Sequence, residues 1–79
     1  MTFGAALEAL KARKCVARAG WNGKCMFLIY VPGGEAEHPL LPTAVEALPY
    51  IAMITAQGAF VPWLASQTDI LSEDWGVVE

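Results

Sequence analysis

Apolar positions recur along the chain at two periods. Phe3, Ala6, Leu7 and Leu10 fall at i, i+3, i+4 and i+7, one stripe of an amphipathic helix. Thr2 is placed to cap it, and Lys11, Arg13 and Lys14 populate its last turn, where cations complement the helix dipole. This predicts a helix from about Phe3 to Ala12. Cys15 to Ala19 and Cys25 to Val31 then read as strands. Between them stands Gly20-Trp21-Asn22-Gly23-Lys24. Asn-Gly tolerates the positive φ that a type I′ hairpin turn demands. That turn pairs Trp21 with Lys24, Ala19 with Met26, Ala17 with Leu28 and Cys15 with Tyr30. Opposed residues share a face. One face then carries Cys15, Ala17, Ala19, Trp21, Lys24, Met26, Leu28 and Tyr30. The other carries Val16, Arg18, Gly20, Cys25, Phe27 and Ile29.

Pro32-Gly33-Gly34 ends the second strand. Glu35 to Leu48 has no clean period and reads as a loop or partly ordered arm, with a short helical turn over Ala44 to Leu48. Pro49 introduces a second hairpin: Tyr50 to Thr55, a turn around Gln57-Gly58, and Ala59 to Trp63. Pro62 cannot donate to a ladder and marks an edge or a strand end. Ser66-Gln67-Thr68-Asp69 reads as a helix start with Ile70 and Leu71 on its apolar side, and Asp74 to Val78 as a final strand. The fold class is α+β over a single domain, 1–79. An N-terminal helix packs on a small antiparallel sheet of two hairpins plus a C-terminal strand, with a short helix before the last strand.

Composition adds an expectation of assembly. The chain is 56% hydrophobic and 16% charged over 79 residues. A monomer of this length cannot hide that much apolar surface, so an obligate oligomer is expected. No apolar run approaches a membrane span. Met1 to Leu10 carries Glu8 and lacks the basic-then-apolar order of a signal peptide. In the predicted register Cys15 and Cys25 lie on opposite faces, about five residues or roughly 17 Å apart, too far for a disulfide. Thiols outside a disulfide suit a reducing cytoplasm, the expected location. All five cations fall in the first 24 residues against one acid, and seven acids follow with no cation. The net charge of −3 argues against binding to long nucleic acid. The basic N-terminal part still offers a local patch for a small phosphorylated ligand.

An enzyme needs a positioned nucleophile or acid/base set. His38 sits in a breaker-rich loop beside Glu35 and Glu37, and neither it nor the two cysteines has metal-ligand spacing. No phosphate-binding glycine loop or dinucleotide fingerprint is present. No catalytic residue, metal or cofactor is therefore expected; a hydrolase using Cys25 or His38 is the weakest alternative. What the chain offers is three tryptophans, each beside polar residues: Trp21 near Asn22 and Lys24, Trp63 before Ser66, Gln67 and Asp69, and Trp75 after Asp74. Indole faces stack on bases, and such polar groups orient small ligands. At a hairpin tip Trp21 would need a ligand or a neighbouring subunit to cover it. The competing reading of these residues is structural: helix caps, core indoles and an ordinary hairpin tip.

Four segments resemble a known family: Met1-Thr2-Phe3-Gly4-Ala5-Ala6-Leu7, Lys11 to Arg18, Arg18-Ala19-Gly20-Trp21-Asn22-Gly23-Lys24, and Val61-Pro62-Trp63-Leu64-Ala65-Ser66-Gln67-Thr68-Asp69 continuing to Asp74-Trp75. They are similar to the phage Thoeris anti-defence family of the second type. The resemblance implies a sponge that binds a cyclic ADP-ribose signal without cleaving it. Some members hold cyclic oligonucleotide signals at a separate site. It further implies a helix on an antiparallel sheet, dimers pairing into tetramers, and pockets at subunit contacts. Carried onto this chain, Trp21 and Trp63 would stack on the base, and Arg18 and Lys24 would face phosphate. Asn22, Ser66, Gln67 and Asp69 would hydrogen-bond ribose or base, with Gly20 and Met26 completing the site. The expected partners are a cyclic ADP-ribose isomer or related cyclic nucleotide and further copies of the chain. The alternatives are a small self-assembling module without nucleotide binding, or a sponge for a different cyclic oligonucleotide.

Overall fold

Thr2 opens the first helix, α1 (Phe3–Lys11), by accepting the Ala5 amide on its side-chain oxygen at 3.2 Å in the computed structural model, which describes residues 1–21 and 25–78. The helix buries Ala6 and Leu10 completely. It ends where Arg13 takes a φ of 67° and the Lys14 amide returns to the Ala9 carbonyl at 3.0 Å. Glycine usually fills this left-handed position. Here the Arg13 guanidinium lies 4.5 Å from the Tyr30 ring centroid, and that cation–π contact offsets the strain.

The chain then forms β1 (Cys15–Arg18), a 3-10 turn (Ala19–Trp21), β2 (Phe27–Val31), β3 (Gly34–Ala36), β4 (Val45–Ala47), β5 (Tyr50–Ile54), β6 (Phe60–Pro62), α2 (Gln67–Leu71) and β7 (Trp75–Val78). Five strands make one antiparallel sheet in the order β6-β5-β2-β1-β7. This is the α+β arrangement that the hydrophobic pattern predicts. Pro62 sits at the end of the edge strand β6. The turn before it places its positive φ on Gly58 and sends the Gly58 amide to the Thr55 carbonyl at 2.8 Å, so Gln57 escapes that strain. The Met1 backbone continues the sheet beyond β7, exchanging hydrogen bonds with Trp75 in both directions at 2.7 and 3.1 Å. No helix among the described residues is long and apolar enough to cross a membrane.

Two expectations are corrected. The stretch from Glu35 to Leu48 is neither a bare loop nor helical at Ala44 to Leu48. β3 and β4 pair there as a separate two-stranded sheet, Gly34 opposite Ala47 and Ala36 opposite Val45. Gly33 permits this, because a Cβ at its position would overlap the Ala47 carbonyl.

The first hairpin is also shifted by one residue. Leu28 pairs with Val16, not Ala17. Such a slip exchanges the two faces of a strand. Val16 and Leu28 are both fully buried with Ala6 and Leu10, and Tyr30, Ile51 and Met53 pack beside them. Side-chain volume accounts for this, since Val16 fills the space under α1 that the smaller Ala17 would leave open. β1 ends at Arg18, and the Ala19 amide goes to the Asp74 carbonyl at 3.0 Å instead of a strand partner opposite Met26. The Asn22-Gly23 turn and its flanking Trp21–Lys24 pair fall outside the described residues.

α1 packs on the Val16–Leu28 face, and α2 lies against α1. By strand alternation the opposite face carries Cys15, Ala17, Phe27, Ile29, Val31, Ala52, Ile54 and Phe60, of which Ala52 is fully buried and Phe60 exposed.

Candidate functional site

The three tryptophans are far apart in sequence and meet in one aromatic cluster. Trp75 is its centre, only 3% exposed. Its ring lies 5.3 Å from Phe3, 5.3 Å from Trp21 and 6.0 Å from Trp63. Phe3 and Trp63 close the group at 5.8 Å. Trp21 and Trp63 approach Trp75 edge-on, at 78° and 84°, the orientation that ring quadrupoles favour. The buried Trp75 indole donates to the Asp69 carbonyl at 2.9 Å. Trp21 is thus partly covered by its own chain, which corrects the expectation that only a ligand or a second subunit could do so.

Arg18 leaves the end of β1 beside this cluster. Its Nε donates to Asp74 Oδ1 at 2.8 Å, Nη2 to Asp74 Oδ2 at 3.4 Å and Nη1 to Asp69 Oδ1 at 2.7 Å. The side chains of Arg18 and Asp69 are each 16% exposed and that of Asp74 33%. The hydrogen bonds to Asp74 and then Asp69 push the Arg18 pKa further up. The Arg18 guanidinium holds the Asp74 carboxyl below the usual carboxylate value, against a smaller upward push from desolvation, and the Gly20 amide adds to the lowering. A guanidinium has five N–H donors. Three face the two carboxylates, which leaves two for another acceptor.

Beyond Arg18 opens a pocket of about 360 Å³. Small-molecule sites occupy roughly 300–1,000 Å³. Its walls combine Trp21, Met26, Cys25 and Val77 with the small residues Ala17, Ala19 and Gly76, and its polar rim is Arg18 with Asp74. A flat ring against Trp21 and Met26, with hydrogen-bonding groups toward Arg18, suits this arrangement.

Of the candidate site residues, Arg18, Trp21 and Met26 line the pocket together. Gly20 borders it through the bond from its amide to Asp74 Oδ2 at 2.8 Å. Asp69 stands behind Arg18. Trp63 packs against Phe3 and Trp75 and is not among the lining residues. Ser66 caps α2 by accepting the Asp69 amide at 3.0 Å, and Gln67 begins that helix. Asn22 and Lys24 lie outside the described residues. The sequence reading passed over Asp74 as a site residue. Its signal was the charge pattern: Arg18 lies in an otherwise apolar strand, and the acids that could satisfy it lie mostly in the cation-free remainder.

Residues 1–78 match the profile of the Thoeris anti-defense 2-like domain. The chain belongs to the Thoeris anti-defense 2-like family. A relative from Bacillus phage SP01, named Thoeris anti-defense 2, is 39% identical over 87 residues, spanning 99% of this chain and 94% of the relative. Membership of this family supports an anti-defence role. The profile spans all of the pocket residues, so the Arg18–Asp74 rim and the aromatic cluster both lie within the family domain.

Proposed function

We propose that this protein sequesters a cyclic ADP-ribose-type signalling nucleotide without cleaving it, in the cytoplasm of the host cell. The pocket carries this reading: an indole, a thioether and a guanidinium converge on one open cavity in a chain of an anti-defence family. Trp21 stacks on the base, and the two remaining Arg18 N–H groups reach ribose or phosphate. Asn22 and Lys24 are assigned to the same ligand from their place in the sequence. The hydrolase alternative uses Cys25 or His38. His38, the one histidine, is not among the lining residues, and its Nδ1 accepts the Leu40 amide at 3.1 Å.

The test is recovery of the ligand. Cyclic ADP-ribose is incubated with the protein, the free fraction is measured, and the complex is then denatured by heat. A sponge depletes the free ligand and returns it intact. A cleaved product would mean an enzyme, and no depletion would remove the proposal for this ligand.

The uncharged sheet face opposite α1 favours a second element of the reading, a homo-oligomer of at least two copies. Leu64 is 93% and Leu71 75% exposed, which adds apolar surface near α2. The alternative of a self-assembling module without nucleotide binding rests on the same surface. A folded protein whose melting temperature responds to no cyclic nucleotide would favour that alternative.

A further inference from the structure

We propose that Asp74 is a positioning residue for the pocket: it fixes where Trp21 stands. Three consecutive residues before Trp21 are tied to this one residue. Arg18 donates to its carboxylate through Nε at 2.8 Å and Nη2 at 3.4 Å. The Ala19 amide donates to its backbone carbonyl at 3.0 Å. The Gly20 amide donates to Oδ2 at 2.8 Å. These bonds span the chain by more than 50 residues and replace the strand pairing that β1 gives up at Arg18.

Without them the 3-10 turn Ala19–Trp21 would be held, among the described residues, by the packing of Trp21 on the core and its edge contact on Trp75. Asp74 immediately precedes Trp75, so the same short segment holds the backbone of the turn and receives its indole. Gly20 is part of the device. A Cβ there would stand 3.0 Å from both Arg18 Nη2 and Asp74 Oδ2, which must then move apart from the turn. A glycine at this point lets the carboxylate close on the amide.

The proposal deepens the sequestration reading, but its primary test does not depend on that reading. In a Trp63→Phe background Trp21 and Trp75 are the two remaining tryptophans, and their coupled transitions give a circular-dichroism couplet that depends on mutual orientation. Asp74→Ala is expected to remove most of the couplet while the sheet signal persists. Asp74→Asn, which keeps an acceptor for the Gly20 amide, is expected to restore part of it. In the otherwise unaltered chain, Asp74→Ala should weaken cyclic ADP-ribose binding about 10-fold or more, a scale borrowed from residues that orient metal ligands.

A folded Asp74→Ala protein with an unchanged couplet would overturn the proposal, even if it melts earlier. If Asp74→Ala does not fold, Gly20→Ala serves in its place: a reduced couplet supports the proposal and an unchanged one overturns it. Failure of the unaltered protein to bind cyclic ADP-ribose would sink the sequestration reading for that ligand and leave the couplet to judge Asp74.

Discussion

Trp21 and Trp63 offer a matched pair of truncations that separates folding from binding. Both are partly buried, and both meet Trp75 edge-on, at 5.3 and 6.0 Å. Burying about 100 Å² of indole stabilises by about 2–3 kcal/mol. Area counted against an extended chain is an upper bound, so the loss on truncation should lie toward the lower figure. A 79-residue domain has roughly 4–12 kcal/mol in hand. Each single truncation should therefore leave a folded protein, melting roughly 8–24 °C lower. Trp75→Ala, at the buried centre, should cost about 3–5 kcal/mol and bring the fold close to failure.

Binding should divide the pair. Trp21 lines the pocket and Trp63 does not. Stacking on a base contributes about 1–3 kcal/mol, so Trp21→Ala should weaken cyclic ADP-ribose binding by roughly 5- to 150-fold. Trp63→Ala should leave affinity per folded molecule within about twofold, the change expected of a residue that only packs behind the site. Titration calorimetry gives the affinity, and a urea melt on the same sample gives the folded fraction. Equal losses of affinity in the two variants would refute the reasoning. So would a Trp21→Ala protein that melts early yet binds normally, because Trp21 would then be core alone.

Leu28 is fully buried between β1 and β5, so Leu28→Ala should cost about 2–5 kcal/mol, read as a lower urea midpoint. Acid should release the 3-10 turn before it unfolds the sheet. Asp74 has a folded-state pKa below its unfolded value, so its contribution is fully present above about pH 4 and drains as pH falls through the lowered value; the Trp21–Trp75 couplet, followed against the sheet signal, checks the order of loss. Sedimentation should show at least a dimer at micromolar concentration, and Ile29→Glu, which places a charge on the sheet face opposite α1, should shift it to monomer; a monomeric unaltered protein would refute the assembly.

Much of the fold was legible because local pattern and tertiary demand agree. The helix stripe, the Thr2 and Ser66 caps, the edge proline at Pro62 and the closing strand all appear where the sequence places them. The register of the first hairpin was not legible. Asn-Gly is a strong turn signal, but a local signal cannot weigh Val16 against Ala17 as the filler beneath α1, and that packing decides which residue faces Leu28. β3 and β4 escaped for a related reason. Each is three residues long, too short to show a period, and they meet across an intervening loop where Gly33 can approach Ala47. The site was half legible. Arg18, Trp21 and Met26 are near neighbours in sequence and line one pocket, although the predicted register put Arg18 on the face opposite the other two. Asp74 and Trp75 join them only through the β1–β7 pairing, in which Arg18 stands opposite Trp75.

That pairing also bears on how an anionic nucleotide can sit in the pocket. Arg18 brings one positive charge, while Asp69 and Asp74 bring two negative charges against it. The Arg18–Asp74 rim is formally neutral and, with Asp69 behind it, the cluster is formally negative, so a phosphate placed there would gain two hydrogen bonds without net attraction. Trp21, Met26 and the small residues beside them suit a base and ribose instead. On the sequestration reading, the orientation that satisfies both walls puts the base on Trp21, with a ribose hydroxyl accepting from Arg18. The phosphates then point away from the carboxylates, toward positive charge supplied elsewhere. Lys24 follows Trp21 by three residues, as near to it in sequence as Arg18 is on the other side. On that reading Arg18 serves less as a phosphate hook than as the link that couples the pocket rim to Asp69 and Asp74, with the Asp69 carbonyl accepting from the Trp75 indole.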